Sequence, residues 1–157
     1  MMTKKLPKSA YFSIKAPRNL YPAMRRDVQL LREHTSWTTC VTVVLCCIDA
    51  IAAGAGDASP SKFKRFVERH LGALCTELTG SVRGKSGSDV LYDKFRNGFA
   101  HLRGPKSGFA IAENHELDGR YAGRLEVDGV GTFVAINVER LVNDFVRVVE
   151  DIEKGAA

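Results

Sequence analysis

The sequence lacks an apolar run long enough to cross a membrane. Its most apolar stretch, residues 40–53, is shorter than the roughly 20 residues that a bilayer span requires, and it contains Asp49. The first 17 residues carry lysines but lack the apolar stretch of a secretory signal. We therefore expect a cytoplasmic protein that neither spans a membrane nor is exported.

Common catalytic and metal-binding motifs are also missing. No Walker loop, Gly-x-Gly-x-x-Gly, His-Glu-x-x-His or Gly-x-Ser-x-Gly occurs, so nucleotide hydrolysis, hydride transfer, zinc proteolysis and the α/β-hydrolase reaction have no local support. The four cysteines show no Cys-x-x-Cys spacing, which argues against a zinc cage or a disulfide frame. We expect no metal and no cofactor, and we expect the cysteines to be reduced and mostly buried.

What the sequence contains is typical of one globular domain. The chain has 157 residues, of which 45% are hydrophobic and 26% are charged, and this excludes a wholly disordered or collagen-like chain. The formal net charge is +5. That charge permits an anionic partner but does not establish one, because nucleic-acid binding needs the cations on one face.

Three Gly/Ser/Pro-rich breaks, at residues 54–61, 80–88 and 104–108, separate predicted helices. The first helix is expected over about residues 23–53. The second begins at Ser59 as N-cap with Pro60 in the first helical position, and its apolar stripe runs to residue 78. The opposite side of this helix is basic and carries Lys62, Lys64, Arg65 and Arg69. This pattern indicates either a solvated face or a surface that binds the phosphates of a nucleic-acid backbone. The third runs from a cap within residues 86–89 to about residue 103.

After Gly108 the apolar period changes to that of strands. Asp118-Gly119 and Asp128-Gly129 are hairpin dipeptides, and a last helix capped by Asn137 closes the chain. The predicted fold is mainly α, with a small antiparallel β meander of two or three strands inserted before the last helix. Residues 1–22 are an N-terminal extension, and residues 23–157 form a single domain with the β insertion at about 108–137.

The densest cluster of functional side chains is LYDKFRNGFAH, residues 91–101, on the third helix. It contains Arg96-x4-His101, a weak pattern by itself, since Arg65 and His70 have the same spacing. The contexts differ. Arg96 is followed by polar Asn97 near a helix end, whereas Arg65 is followed by a residue of the apolar stripe.

This stretch resembles the motif helix of the HEPN superfamily (higher eukaryotes and prokaryotes nucleotide-binding domain), whose signature is Arg-x4-6-His with Asn, Asp or His after the arginine. The resemblance covers about residues 23–105 and loosely the last helix. It implies an antiparallel helical bundle that forms a homodimer through facing motif helices. The β meander is an insertion relative to the simple four-helix form.

The resemblance further implies what the protein acts on. Active members are metal-independent endoribonucleases, many of them toxins or antiviral effectors, and other members are binding or assembly modules. RNA or a nucleotide is therefore an implied partner, as is a protein regulator. One toxin branch carries a regulatory tyrosine two residues after the histidine. Arg103 occupies that position here, so that form of regulation is not inferred.

The residue types suit RNA cleavage without a metal. His101, with an ordinary pKa near 6.5, would take the proton of the 2′-hydroxyl, and Arg96 would stabilise the charge that gathers on phosphorus. Asn97 would orient His101, and the product would be a 2′,3′-cyclic phosphate. Other side chains on and around the helix would hold the RNA backbone or, for the tyrosine, stack on a base; these are Arg83, Lys85, Tyr92, Arg103 and Lys106.

Helical geometry leaves an alternative open. Residues turn by about 100° each, so Asn97 and His101 share a face while Arg96 points about 140° away from His101. Catalysis therefore predicts a composite site in a dimer. In the alternative, Arg96 pairs with Asp93 or another acid, Asn97 caps a backbone and His101 satisfies a carbonyl. The protein is then a catalytically silent helical dimer that binds a nucleotide or a protein partner.

Overall fold

The computed structural model describes residues 20–34, 36–54, 56–102 and 104–155. Helices dominate, and a small three-stranded sheet precedes the last helix, which confirms the mainly α class and the position of the β element. Of the predicted N-terminal extension, residues 1–19 lie outside the described residues, and residues 20–22 open the first helix. None of the helices in the described ranges is long and apolar enough to cross a bilayer.

Each of the first two predicted helices is divided in two. The four resulting helices are α1 (Leu20–His34), α2 (Trp37–Ala53), α3 (Pro60–His70) and α4 (Gly72–Ser81). A single helix over 23–53 was wrong because Ser36 is extended, at φ −70° and ψ 149°, and its hydroxyl caps α2 by accepting from the Thr39 N–H. The second division falls at Leu71, whose backbone leaves the helical region at φ −123° and ψ 37° while its side chain stays buried.

The third predicted helix forms as three consecutive segments, which we call the motif helix: α5 (Gly87–Val90), a π-helical segment (Leu91–Arg96) and α6 (Asn97–Leu102). Ser86 caps it by accepting a hydrogen bond from the Asp89 N–H at 3.1 Å, so the cap lies within residues 86–89, as predicted. Gly87 permits a close approach to α4. A Cβ there would lie 1.9 Å from the Cys75 carbonyl oxygen.

The sheet consists of β1 (Phe109–Ala112), β2 (Ala122–Val127) and β3 (Gly131–Asn137), in the order β1-β3-β2. The predicted antiparallel meander is correct for β2 and β3, which pair antiparallel around Asp128-Gly129. It is wrong for β1, which pairs parallel to β3. The reason lies between β1 and β2, where a 3₁₀ helix (Asn114–Leu117) and a left-handed turn at Asp118-Gly119 carry the chain across the sheet instead of folding it into a hairpin.

The last helix, α7 (Val138–Glu153), packs against α1 and α2. Asn137 caps it, as predicted, and its side chain is fully buried. The Asn137 amide also donates to the Asn114 side chain and the Arg120 carbonyl, each at 2.9 Å, so one residue joins the sheet, the turn and the helix. The core between the helices is apolar, with Phe63, Phe95 and Phe145 among its largest buried side chains.

The cysteines are free thiols whose burial differs. Cys40 and Cys75 are buried and Cys47 is half-buried, as expected of small apolar residues, whereas Cys46 is exposed. Burial raises the pKa of the Cys47 thiol to about 11 and that of Cys75 also to about 11. These two thiols stay protonated at neutral pH and are therefore weak nucleophiles.

Candidate functional site

The motif helix is held at its carboxyl end by the loop that follows it. The Lys106 N–H donates to the Lys94 carbonyl in the π-helical segment at 2.9 Å. Gly98 lies directly under this loop, since a Cβ there would be 2.5 Å from the Gly104 carbonyl oxygen and 2.9 Å from the Lys106 nitrogen. Glycine at position 98 therefore allows the loop to pack on the helix backbone.

Arg96, at the end of the π-helical segment, is anchored to α2. Its Nε and Nη2 lie 2.6 Å and 2.5 Å from Oδ2 of Asp49. The Arg96 side chain is 26% exposed and that of Asp49 13% exposed, so the pair is largely shielded from water. This contact is the one described in the alternative interpretation, in which Arg96 pairs with an acid of the bundle. The acid is Asp49 rather than Asp93.

The same guanidinium also reaches Asn97. Arg96 Nη1 donates to Asn97 Oδ1 at 2.9 Å. Arg96 thus lies beside the side chain that shares a helix face with His101, because residues four apart in α6 are neighbours on one face.

His101 lies one turn further along, at the exposed end of the motif helix. No hydrogen bond joins its ring to any other described residue, so the predicted bond to a nearby carbonyl is not observed within the described ranges. Asn97 likewise bonds to Arg96 rather than capping a backbone group. The structure therefore brings Arg96 and Asn97 into contact and leaves His101 open to solvent on the same helix.

Tyr92 lies beneath the arginine. Its ring is half-buried against Phe63, with centroids 5.3 Å apart in an edge-on arrangement. The Arg96 guanidinium carbon is 5.5 Å from the centroid of the Tyr92 ring. Lys64 of α3 also approaches this ring, with its Nζ 5.9 Å from the centroid. Tyr92 therefore supports the position of Arg96. Its ring packs against Phe63 and Arg96 within the protein, whereas the predicted role was to stack on a base.

The cations predicted to hold RNA fall into different settings. Arg83 and Lys85 are exposed on the loop before the motif helix, where Lys85 lines a shallow cleft of about 290 Å³. Lys106 is not free, because its Nζ lies 2.7 Å from Asp93 Oδ1. Arg103 lies outside the described residues.

Asp93 sits between two lysines. Hydrogen bonds from Lys106 and Lys94 lower the pKa of the Asp93 carboxyl from 3.8 to about 2. Asp89, one turn earlier, is similarly affected, since hydrogen bonds from Lys64 and Ser86 lower its pKa. Both carboxylates remain charged at neutral pH, so they offset the positive charge along this flank of the motif helix.

Sequence reasoning missed Asp49 as a member of this site. The signal was present, since Asp49 is the only acid in an otherwise apolar helix, and a buried carboxylate needs a cationic partner. No group of three or more His, Cys, Asp or Glu side chains in the described ranges is arranged to hold a metal ion. Comparisons with protein-family models, with curated proteins and with solved structures each found no match to this chain.

Proposed function

We propose that the protein is a HEPN-like, cytoplasmic, metal-independent endoribonuclease whose site is formed by Arg96, Asn97 and His101. The observation that supports this most is the Arg96–Asn97 hydrogen bond on the helix that presents an exposed His101. A cation and an amide in contact with each other then lie on the same helix as an exposed histidine. The resemblance to HEPN proteins makes a toxin or defence role the biological setting of this proposal.

In the proposed reaction the His101 ring takes the proton of a 2′-hydroxyl, and the 2′ oxygen attacks the adjacent phosphorus. The bond from phosphorus to the 5′ oxygen breaks, and this oxygen takes a proton from water. The products are a 2′,3′-cyclic phosphate and a 5′-hydroxyl end. Arg96 has five N–H donors, of which three contact Asp49 and Asn97, so two remain for the phosphoryl oxygens.

Because Arg96 and His101 leave the helix in different directions, we propose that two motif helices face each other in a homodimer and that each site is shared. Mass measurement in solution tests this step. A dimer at micromolar concentration supports a shared site, and a monomer that still cleaves RNA would overturn it.

The deciding experiment incubates the purified protein with structured and unstructured RNA in excess chelator and maps the product ends. The wild type is expected to leave 2′,3′-cyclic phosphates, while His101→Ala and Arg96→Ala are expected to leave the RNA intact. His115→Ala is the matched control. His115 is an exposed histidine on the 3₁₀ helix between β1 and β2, outside the motif helix, so its substitution should not affect cleavage. Intact RNA with the folded, dimeric wild type would refute the ribonuclease proposal.

A second function is favoured by one specific contact. The Asp49 carboxylate already neutralises the Arg96 guanidinium, as expected if the arginine only joins two helices. The chain would then be a catalytically silent dimer that binds a nucleotide or a protein partner. Unchanged nucleic-acid affinity and phenotype in His101→Ala would support this second function.

A further inference from the structure

The second Arg-x4-His pair of the chain lies at a basic cleft on α3. This α3 cleft has a volume of about 250 Å³ and is bordered by Ile51 and Ala52 of α2 and by five residues of α3, which are Lys62, Arg65, Phe66, Arg69 and His70. None of these residues belongs to the motif helix. Other side chains of α3 contact the motif helix, among them Phe63 against Tyr92, Lys64 to Asp89 and Glu68 to Ser88.

The guanidinium groups of the two arginines in the α3 cleft are not paired with a carboxylate of the described residues. Arg65 and Arg69 are exposed, and neither forms a hydrogen bond or ion pair with another described residue. They are four residues apart on a helix, so their side chains start about 6 Å apart on one face. By contrast, Arg96 and Lys106 are each paired with a carboxylate. Arg65 and Arg69 are therefore available to an anionic ligand, whereas Arg96 and Lys106 are already neutralised.

The remaining groups of the α3 cleft do not cancel this charge. Lys62 Nζ donates to the carbonyls of Ala53 and Asp57, at 3.4 Å and 2.9 Å, which fixes another cation at the end of α2. No carboxylate of the described residues borders the cleft. Burial lowers the pKa of His70, and the charge of Asp151 on α7 only partly opposes that shift; Asp151 is not one of the bordering residues.

Phe66 and His70 give the cleft an aromatic edge. Their ring centroids are 4.7 Å apart, and both rings are half-buried. Burial, and after it the charge of Arg69, lowers the pKa of His70, so its ring is neutral at neutral pH. A neutral aromatic pair beside two free arginines offers a stacking surface next to phosphate-binding groups.

We propose that the α3 cleft binds a single-stranded RNA, with Arg65 and Arg69 on phosphates of its backbone and the Phe66–His70 pair against a base. A strand suits the surface better than a mononucleotide, because the arginines line an open helix face one turn apart rather than a closed pocket. The inference rests on the proposed action on RNA and assigns the surface that holds the strand away from the scissile bond.

Binding of a fluorescently labelled single-stranded RNA oligonucleotide, measured by anisotropy in chelator at several salt concentrations, tests the inference. The Arg65→Ala/Arg69→Ala variant should bind about tenfold more weakly or worse, and the slope of log K against log salt should become shallower by about 1.4, or about 0.7 for each phosphate that is no longer neutralised. The control is Arg124→Ala/Lys154→Ala, which removes the same charge from two other exposed positions. Equal effects of the two variants would overturn the inference.

The failure of this inference and the failure of the ribonuclease proposal look different. If the wild type binds RNA through Arg65 and Arg69 but never cleaves it, the α3 cleft stands and the catalytic proposal fails. If it cleaves RNA and the α3 variant shows the wild-type Kd and KM, the α3 cleft is wrong and catalysis stands. A mononucleotide that competes as well as the strand, at equal phosphate concentration, would overturn the proposal of a strand.

Discussion

Arg96 and Asp49 are 47 positions apart, and their side chains meet through two short contacts of 2.6 Å and 2.5 Å. The pair joins the motif helix to the carboxyl-terminal half of α2. Because both side chains are largely shielded from water, loss of either partner leaves a charge without compensation. The geometry of the Arg96–Asn97 unit therefore depends on a residue of another helix.

Asp49→Asn is expected to lower the free energy of unfolding by about 1–3 kcal/mol, because Arg96 stays partly buried without its counter-charge. Urea denaturation measures the change. Asp27→Asn is the control, since the Arg26–Asp27 pair is exposed by 71% and 57% and its loss should cost less than about 0.5 kcal/mol. Equal losses of unfolding free energy in the two variants would show that the Asp49 contact stabilises the protein no more than an exposed ion pair does.

Gly98→Ala is expected to destabilise the protein by about 2–4 kcal/mol, because the added methyl group would collide with the backbone of residues 104–106. Gly80→Ala is its matched control. Gly80 also lies in a helix, but a Cβ there meets nothing within 4 Å, so the substitution should stabilise by about 0.5–1 kcal/mol. Thermal unfolding of the two variants compares them, and a stable Gly98→Ala would show that the loop does not rest on this glycine.

Lys106→Met is expected to raise the pKa of Asp93 from about 2 towards 3.8, since it removes the largest cause of the depression. A depressed carboxylate pKa contributes stability above the unfolded value of 3.8, and that contribution is lost as the pH falls through about 2. The wild type should hold this contribution, at most about 1 kcal/mol for so exposed a pair, to lower pH than the variant.

An NMR titration of the Asp93 carboxyl carbon measures that change. Lys85→Met is the control for it, since Lys85 acts on Asp89 and not on Asp93. A titration midpoint that is the same in all three proteins would contradict the Lys106–Asp93 contact.

Asn137→Ala is expected to cost about 2–4 kcal/mol, because it removes the cap of α7 and, from a fully buried position, the two hydrogen bonds to the Asn114 side chain and the Arg120 carbonyl. Ser59→Ala removes a cap as well, but a half-exposed one, and should cost only about 1 kcal/mol. Chemical denaturation of both variants gives the difference. Similar losses would mean that Asn137 acts as a cap alone.

The features predicted correctly from the sequence are those determined within a few residues. Ser59, Ser86 and Asn137 each cap the helix they precede, because the capping bond joins residues three apart. The Asp128-Gly129 hairpin forms for the same local reason. Such contacts can be deduced from spacing without knowing where the rest of the chain lies.

The features that were not predicted depend on distant contacts. The π-helical segment has no apolar period of its own, and its Lys94 carbonyl is satisfied by the loop at Lys106. The site shows the same limit. Sequence spacing placed Asn97 and His101 on one face, but the partner of Arg96 is Asp49 on another helix, and only the packing of α2 against the motif helix brings it there.

The parallel pairing of β1 with β3 has a consequence for the order of folding. It joins Phe109 to Val134, 25 positions apart, whereas β2 and β3 meet across a tight turn. Closing the longer loop costs more chain entropy, so we expect the hairpin to form first and β1 to join it later. The loop that clamps the motif helix leads directly into β1. The helix end that carries His101 should therefore be among the last parts to become ordered and, in native-state hydrogen exchange, among the first to open.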